Sequence, residues 1–210
     1  MLGVLEGKDI IIISDEVYEK LVYDRIKFVS AASISEKIKE QTVIVNGVSK
    51  AYAMTGWRIG FAAGPKPIID AANIIQSHCT SGASSISQYA SFEALTGDQE
   101  SIKERLAEYQ KRRDYLYTEL LKIPGVTCVK PEGAFYVFPN LSSFFGKSFN
   151  GITYKNSYEL GYYLLREGKV AIVPGSGFYS DNNIRISYST SLDNIKKGVE
   201  RMRIALGKLE

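Results

Sequence analysis

At 210 residues, with 45% hydrophobic and 23% charged side chains, the chain has ordinary globular composition and enough length for one or two cores. Lysine plus arginine exceed aspartate plus glutamate by only three, 26 against 23, with no basic run or aromatic-laced basic stripe, which argues against nucleic acid as a partner. No apolar run nears about eighteen residues, no secretory pattern opens the chain, Cys79 and Cys128 lie far apart, and His78 is the single histidine. The expectation is therefore a cytoplasmic protein with reduced thiols, no membrane span and no metal centre.

Residues Ile10 to Ile13 form a continuous apolar run of the kind found in strands covered on both faces. An interior parallel strand needs neighbours on both sides, and the few early candidates suggest that elements preceding Met1 are absent. The run leads into Ser14-Asp15-Glu16-Val17-Tyr18. Ligands bind beyond the carboxyl ends of strands in open α/β sheets, and Asp15 occupies such an end, where it serves either as a ligand group or as a plain N-cap. Tyr18 shares its face if one helical turn follows. Ile34 and Ile38 among charged residues predict a short amphipathic helix within Ser33 to Gln41, and the β-branched run Thr42 to Val45 then lies parallel to the first strand through a right-handed crossover.

The most chemically dense stretch follows, from Asn46 to Gly60, between that strand and a second apolar run, Ile59 to Ala63, ended by Gly64-Pro65. Both runs read as buried strands. The connection is close to the minimum for a parallel crossover, so an antiparallel return is at least as well supported. In an antiparallel return Arg58 comes near the end from which Ser49 and Lys50 emerge. Those three side chains can bind a phosphate, and the lysine is placed to act as a nucleophile. The competing reading is a Ser-Lys helix cap with a solvated lysine.

Beyond Gly64-Pro65 helices are predicted at Ile68 to Gln76, Ser87 to Leu95 and Gln99 to Ile123, the last with Ile102, Leu106, Tyr109, Leu116 and Leu120 on one apolar stripe. Pro124-Gly125 stops it. A small α/β region follows: strands at Val126 to Val129, Ala134 to Phe138, Val170 to Val173 and Ile184 to Tyr188, and helices at Tyr158 to Glu167 and Leu192 to Leu209. The stretch Asn140 to Asn156 reads as a surface loop whose phenylalanines pack over an edge. Alternation in Ile184-Arg185-Ile186 sets Arg185 on the face opposite both isoleucines, where it either meets water or grips a carboxylate bidentately. The expected organisation is a larger α/β domain over residues 1–98, a connecting helix over 99–123 and a small α/β domain over 124–210.

Four segments carry a family resemblance: Ser14 to Tyr18; Ser49-Lys50 with Thr55-Gly56-Trp57-Arg58-Ile59-Gly60; Pro131-Glu132-Gly133-Ala134-Phe135-Tyr136; and Val173 to Phe178 with Arg185-Ile186-Ser187. In this order and spacing the chain resembles the C-terminal part of a class I aminotransferase of the aspartate aminotransferase type, with fold type I pyridoxal-phosphate architecture. The resemblance implies the remainder of a large cofactor-binding domain followed by a small C-terminal α/β domain, here in a truncated chain. It implies Lys50 as the lysine that is covalently joined to pyridoxal 5'-phosphate and shuttles the substrate proton. It further implies Asp15 at the pyridine nitrogen, Tyr18 at the phenolic oxygen, Ser49 and Arg58 at the phosphate, and Arg185 at the amino acid's α-carboxylate. Amino-acid and 2-oxo-acid substrates and a homodimer come with the family. The alternatives are a non-catalytic truncated domain, half of a two-chain enzyme, and a pyridoxal-phosphate lyase of the same fold.

Overall fold

The computed structural model describes Leu5 and residues 8–210, which divide into two compact units, Met1–Glu104 and Arg105–Glu210. Apart from Leu5, the opening segment before Lys8 lies outside the described residues. The long helix predicted at Gln99 to Ile123 forms at Glu100–Leu121, and the boundary between the units falls within its first turns.

The first unit is organised on a three-stranded sheet. Strand β1 (Ile12–Asp15) pairs in parallel with β2 (Thr42–Asn46), aligning Ile12 with Thr42 and Asp15 with Val45. The crossover contains a short helix, α1 (Glu36–Glu40), whose Ser35 cap accepts from the Ile38 amide while Ile38 buries itself beneath. Strand β3 (Phe61–Ala63) returns antiparallel, pairing Phe61 with Asn46 and Ala63 with Ile44. Two helices follow, α2 (Lys66–Cys79) and α3 (Ser85–Thr96).

Burial departs from the sequence reading here. The isoleucine run is not covered on both faces: Ile13 is 74% exposed, and all three residues of β3 are exposed. The reason is topological. Among the described residues β1 and β3 are both edge strands, so an apolar run that is hydrophobic enough for an interior strand has only one neighbour. Leu21, Tyr23, Val48 and Ala51, in turns flanking the sheet, are buried instead.

The second unit closes its own core. Strand β4 (Tyr136–Val137) and strand β7 (Val173–Pro174) flank the central β8 (Ile184–Ser187), all antiparallel. Helix α4 (Glu100–Leu121), helix α5 (Ser157–Arg166) and helix α6 (Leu192–Leu206) contribute Leu116, Leu120, Leu160, Leu164 and Met202, each 2% exposed or less. Asn156 and Ser191 cap α5 and α6 by accepting from the Glu159 and Asn194 amides. Arg113, fully buried, ties α4 to the following turn by donating to the Pro131 carbonyl at 3.0 Å and to Asp114.

Three local expectations change: the strand predicted over Val170 to Val173 shrinks to Val173–Pro174. Val126 to Val129 is not a strand: Thr127 makes an isolated bridge to Asn140, and Val129 is exposed. The supposed loop from Asn140 to Asn156 contains a hairpin, β5 (Ser148–Phe149) and β6 (Ile152–Thr153), turned by Asn150 and Gly151 with positive φ at both positions. That is the backbone of a two-residue hairpin turn whose twist matches the strands. Phe144 is buried and Phe149 packs on Tyr163, as the packing reading requires.

Candidate functional site

The carboxyl ends of β1 and β2 lie side by side because the strands are parallel, and the antiparallel return brings the start of β3 to the same edge. A pocket of about 330 Å³ opens there, lined by Asp15, Val17, Val45, Asn46, Ser49, Lys50, Thr55 and Arg58. Four sequence-predicted site residues, Asp15, Ser49, Lys50 and Arg58, thus line one pocket. The fifth, Tyr18, borders it: the chain after β1 makes one turn, and the Lys50 ammonium lies 5.8 Å from the Tyr18 ring centre.

Two glycines allow this convergence. A Cβ on Gly47 would stand 3.2 Å from the Gly60 Cα and the Ile59 carbonyl, and one on Gly60 would stand 3.0 Å from the Asn46 carbonyl. The backbone leaving β2 and the backbone entering β3 therefore touch directly. No helix follows Ser49-Lys50, which sit in a turn, so the helix-cap reading does not hold. That turn is anchored by Tyr52, which donates to Gln99 at 2.9 Å and whose partial burial, reinforced by Glu19, pushes its phenol up.

Arg58 leaves a short 3₁₀ turn with φ 50° and ψ 51°, a left-handed conformation uncommon for a residue with a side chain. Two hydrogen bonds hold the turn: Arg58 Nη1 donates to the Thr55 carbonyl at 2.9 Å, and the buried Ser87 hydroxyl on α3 donates to the Trp57 carbonyl at 2.8 Å. Among the described residues the other guanidinium nitrogens of Arg58 and the Ser49 hydroxyl have no hydrogen-bond partner. Asp15 accepts through Oδ1 from the Val17 amide at 3.2 Å, and its Oδ2 accepts from no described residue. Neighbouring Glu16 is occupied differently: it is buried and accepts from Ser14, Ser30 and the Ala31 amide.

The pocket thus offers an amine, anion donors from a guanidinium and a hydroxyl, one carboxylate oxygen and two valine side chains. This donor set fits a flat heteroaromatic ring carrying both an anionic substituent and a basic nitrogen. The sequence reading missed Val17, Val45, Asn46 and Thr55. Position beside a chosen residue was the only available signal, since nothing in their type distinguishes them from packing residues.

Arg185 belongs to the second unit, on β8, half-buried. Its Cζ lies 4.5 Å from the ring centres of both Tyr136 and Phe178. Neither reading of the sequence anticipates those two rings. Among the described residues no helix is long and apolar enough to cross a membrane, and no group of three or more His, Cys, Asp or Glu side chains could hold a metal.

In this mixed α/β chain a lysine and an arginine gather at the carboxyl ends of two parallel strands, the place beyond which open α/β sheets bind their ligands. Comparison with known proteins supplies the family. Residues 1–202 match the aminotransferase class I and II family, and the chain belongs to that family. It is 49% identical over 195 residues to the aspartate aminotransferase of Bacillus subtilis, covering 93% of this chain and 49% of that protein. Among solved structures, the Rhizobium meliloti aspartate aminotransferase superposes with a TM-score of 0.95 at 44% identity, over 99% of this chain and 52% of that one. The aromatic aminotransferase of Pyrococcus horikoshii superposes at 0.88 with 36% identity, over 98% and 53%. The fold is that of these fold type I aminotransferases, and the chain spans about half the length of the curated relatives it matches.

Proposed function

We propose that this chain carries the lysine-bearing part of a pyridoxal-phosphate-dependent aminotransferase, which moves an amino group from an amino acid to a 2-oxo acid. The observation that carries the reading is the single pocket lined by Lys50, Asp15, Ser49 and Arg58, in a member of the aminotransferase family. When bound, pyridoxal phosphate supplies an electron-poor ring that accepts the electron pair left when an amino acid loses its α-proton.

The residues divide the remaining work. Lys50 would hold the cofactor covalently, and once the incoming amino acid has displaced it, its freed amine would take the proton from the substrate's α-carbon. Asp15, through the carboxylate oxygen not engaged by Val17, keeps the ring nitrogen protonated. The free donors of Arg58 and the Ser49 hydroxyl bind the phosphate, and Tyr18 donates to the phenolic oxygen. Val17 and Val45 offer apolar contact to the ring. Arg185 binds the substrate α-carboxylate through paired N–H donors. The family supports a homodimer as the working assembly, and the free thiols of Cys79 and Cys128 suit a cytoplasmic setting. The expected organisation remains a cofactor-binding part over residues 1–98, a connecting helix over 99–123 and a small domain over 124–210.

The test is direct. The purified chain is mixed with pyridoxal phosphate, reduced with borohydride, digested and analysed by mass spectrometry. Stoichiometric modification at Lys50, lost in Lys50→Ala, is the expected result. Modification scattered over surface lysines and unchanged in Lys50→Ala would rule out the site in this chain.

A further inference from the structure

We infer that Tyr136 and Phe178 are positioning residues that pre-set the Arg185 guanidinium as a carboxylate receptor. The inference rests on the reading of Arg185 as the carboxylate-binding residue and goes beyond it by naming what holds that residue ready. Three observations combine. The Arg185 Cζ lies 4.5 Å from each ring centre, within the range of a cation–π contact in both cases. Its guanidinium donates to no described residue and forms no ion pair with one, although the side chain is half-buried. The two rings are themselves fixed: Tyr136 is packed at 4.8 Å against Phe135, and Phe178 meets Phe138 edge-on at 6.0 Å.

The backbone fixes them further. Tyr136 pairs with Ser187 on β8, two residues from Arg185, so ring and guanidinium ride on adjacent strands. Phe178 ends the turn Gly175–Phe178, whose Gly175 lies so close to the Asn183 and Ser180 carbonyls that a Cβ there would collide with both. Aromatic rings attract a guanidinium through its π-faces and consume none of its N–H donors. The contacts thus restrict the rotamers of a long side chain while keeping the in-plane donors available for a bidentate acceptor. Ordering the side chain before the ligand arrives removes part of the entropy cost of binding. A lysine would not substitute, because an ammonium has no planar fork to orient.

The test uses the full chain labelled with ¹⁵N, following the Arg185 Nε–H resonance during titration with sodium acetate at constant ionic strength balanced with chloride. A saturable shift is expected in the unmodified chain and its absence in Arg185→Lys. Phe178→Leu and Tyr136→Leu should each weaken acetate binding by about threefold or more. Tyr136→Phe and Phe178→Tyr, which keep a ring, should bind acetate as the unmodified chain does, and unchanged Ile184 and Ile186 amide shifts would report an intact strand. Equal affinity in the leucine and ring-keeping variants would overturn the positioning role while leaving Arg185 as the receptor. No saturable shift in the unmodified chain, or undiminished binding in Arg185→Lys, would remove the receptor reading and this inference with it.

Discussion

The two compact units handle apolar surface in opposite ways. In the second, Leu141, Leu160, Leu164 and Ile184 are all fully buried, and sheet, helices and hairpin enclose one another. In the first, Ile13 on β1, Ile74 and Ile75 on α2, and Ile86, Tyr89 and Phe92 on α3 are all more than 60% exposed. Side chains of equal hydrophobicity are thus core in one unit and surface in the other. The difference teaches that the candidate cofactor pocket does not depend on a closed core around it. Strand pairing and two anchored turns build it, and those are local features.

Truncation of matched isoleucines would sharpen this contrast most. Ile184→Ala should cost about 3 kcal/mol in urea denaturation, since it empties a site with no solvent access. A smaller effect belongs to Tyr163, which donates from the core to the Ala205 carbonyl at 2.7 Å. Tyr163→Phe should lose about 1 kcal/mol. Burial pushes this phenol up, with the neighbouring Tyr154 and Glu167 adding to it. Its folded-state value therefore lies above the unfolded one near about 10. The stabilisation is fully present below that pH and is lost as pH rises through the folded-state value. Denaturation midpoints measured from pH 8 to 11 should fall at the alkaline end, less steeply in Tyr163→Phe. Smallest is Ile13→Ser, expected to change stability by less than about 0.5 kcal/mol because the side chain is mostly in water already. A loss as large as that of Ile184→Ala would break the comparison.

Much of this molecule can be read from residue order. The parallel pair Ile12–Asp15 with Thr42–Asn46 follows from two β-branched runs joined through a short helix, while the length of the next connection left a parallel crossover and an antiparallel return both open, and the structure takes the antiparallel one. Those two facts suffice to bring Asp15, Lys50 and Arg58 to one edge. Burial was less legible, because four isoleucines in a row report a strand's hydrophobicity and not the number of strands beside it. The β5–β6 hairpin was legible but overlooked: Asn150-Gly151 is among the strongest short-range turn signals, masked here by the surrounding serines and phenylalanines. The rings around Arg185 were out of reach. Tyr136 and Phe178 are 42 residues apart in sequence, and only the pairing of β4 with β8 and the turn before it bring both to the guanidinium.

The contact between Gly47 and Gly60 also works as a gauge. Between the turn that carries Lys50 and the segment that carries Arg58 the backbones meet with no side chain as a spacer at this point. A single methyl group at either glycine would press on the facing backbone and push it aside by a few tenths of an ångström without touching any ligand. The pocket's lining can thus change chemistry residue by residue while this backbone contact keeps the two strand ends together.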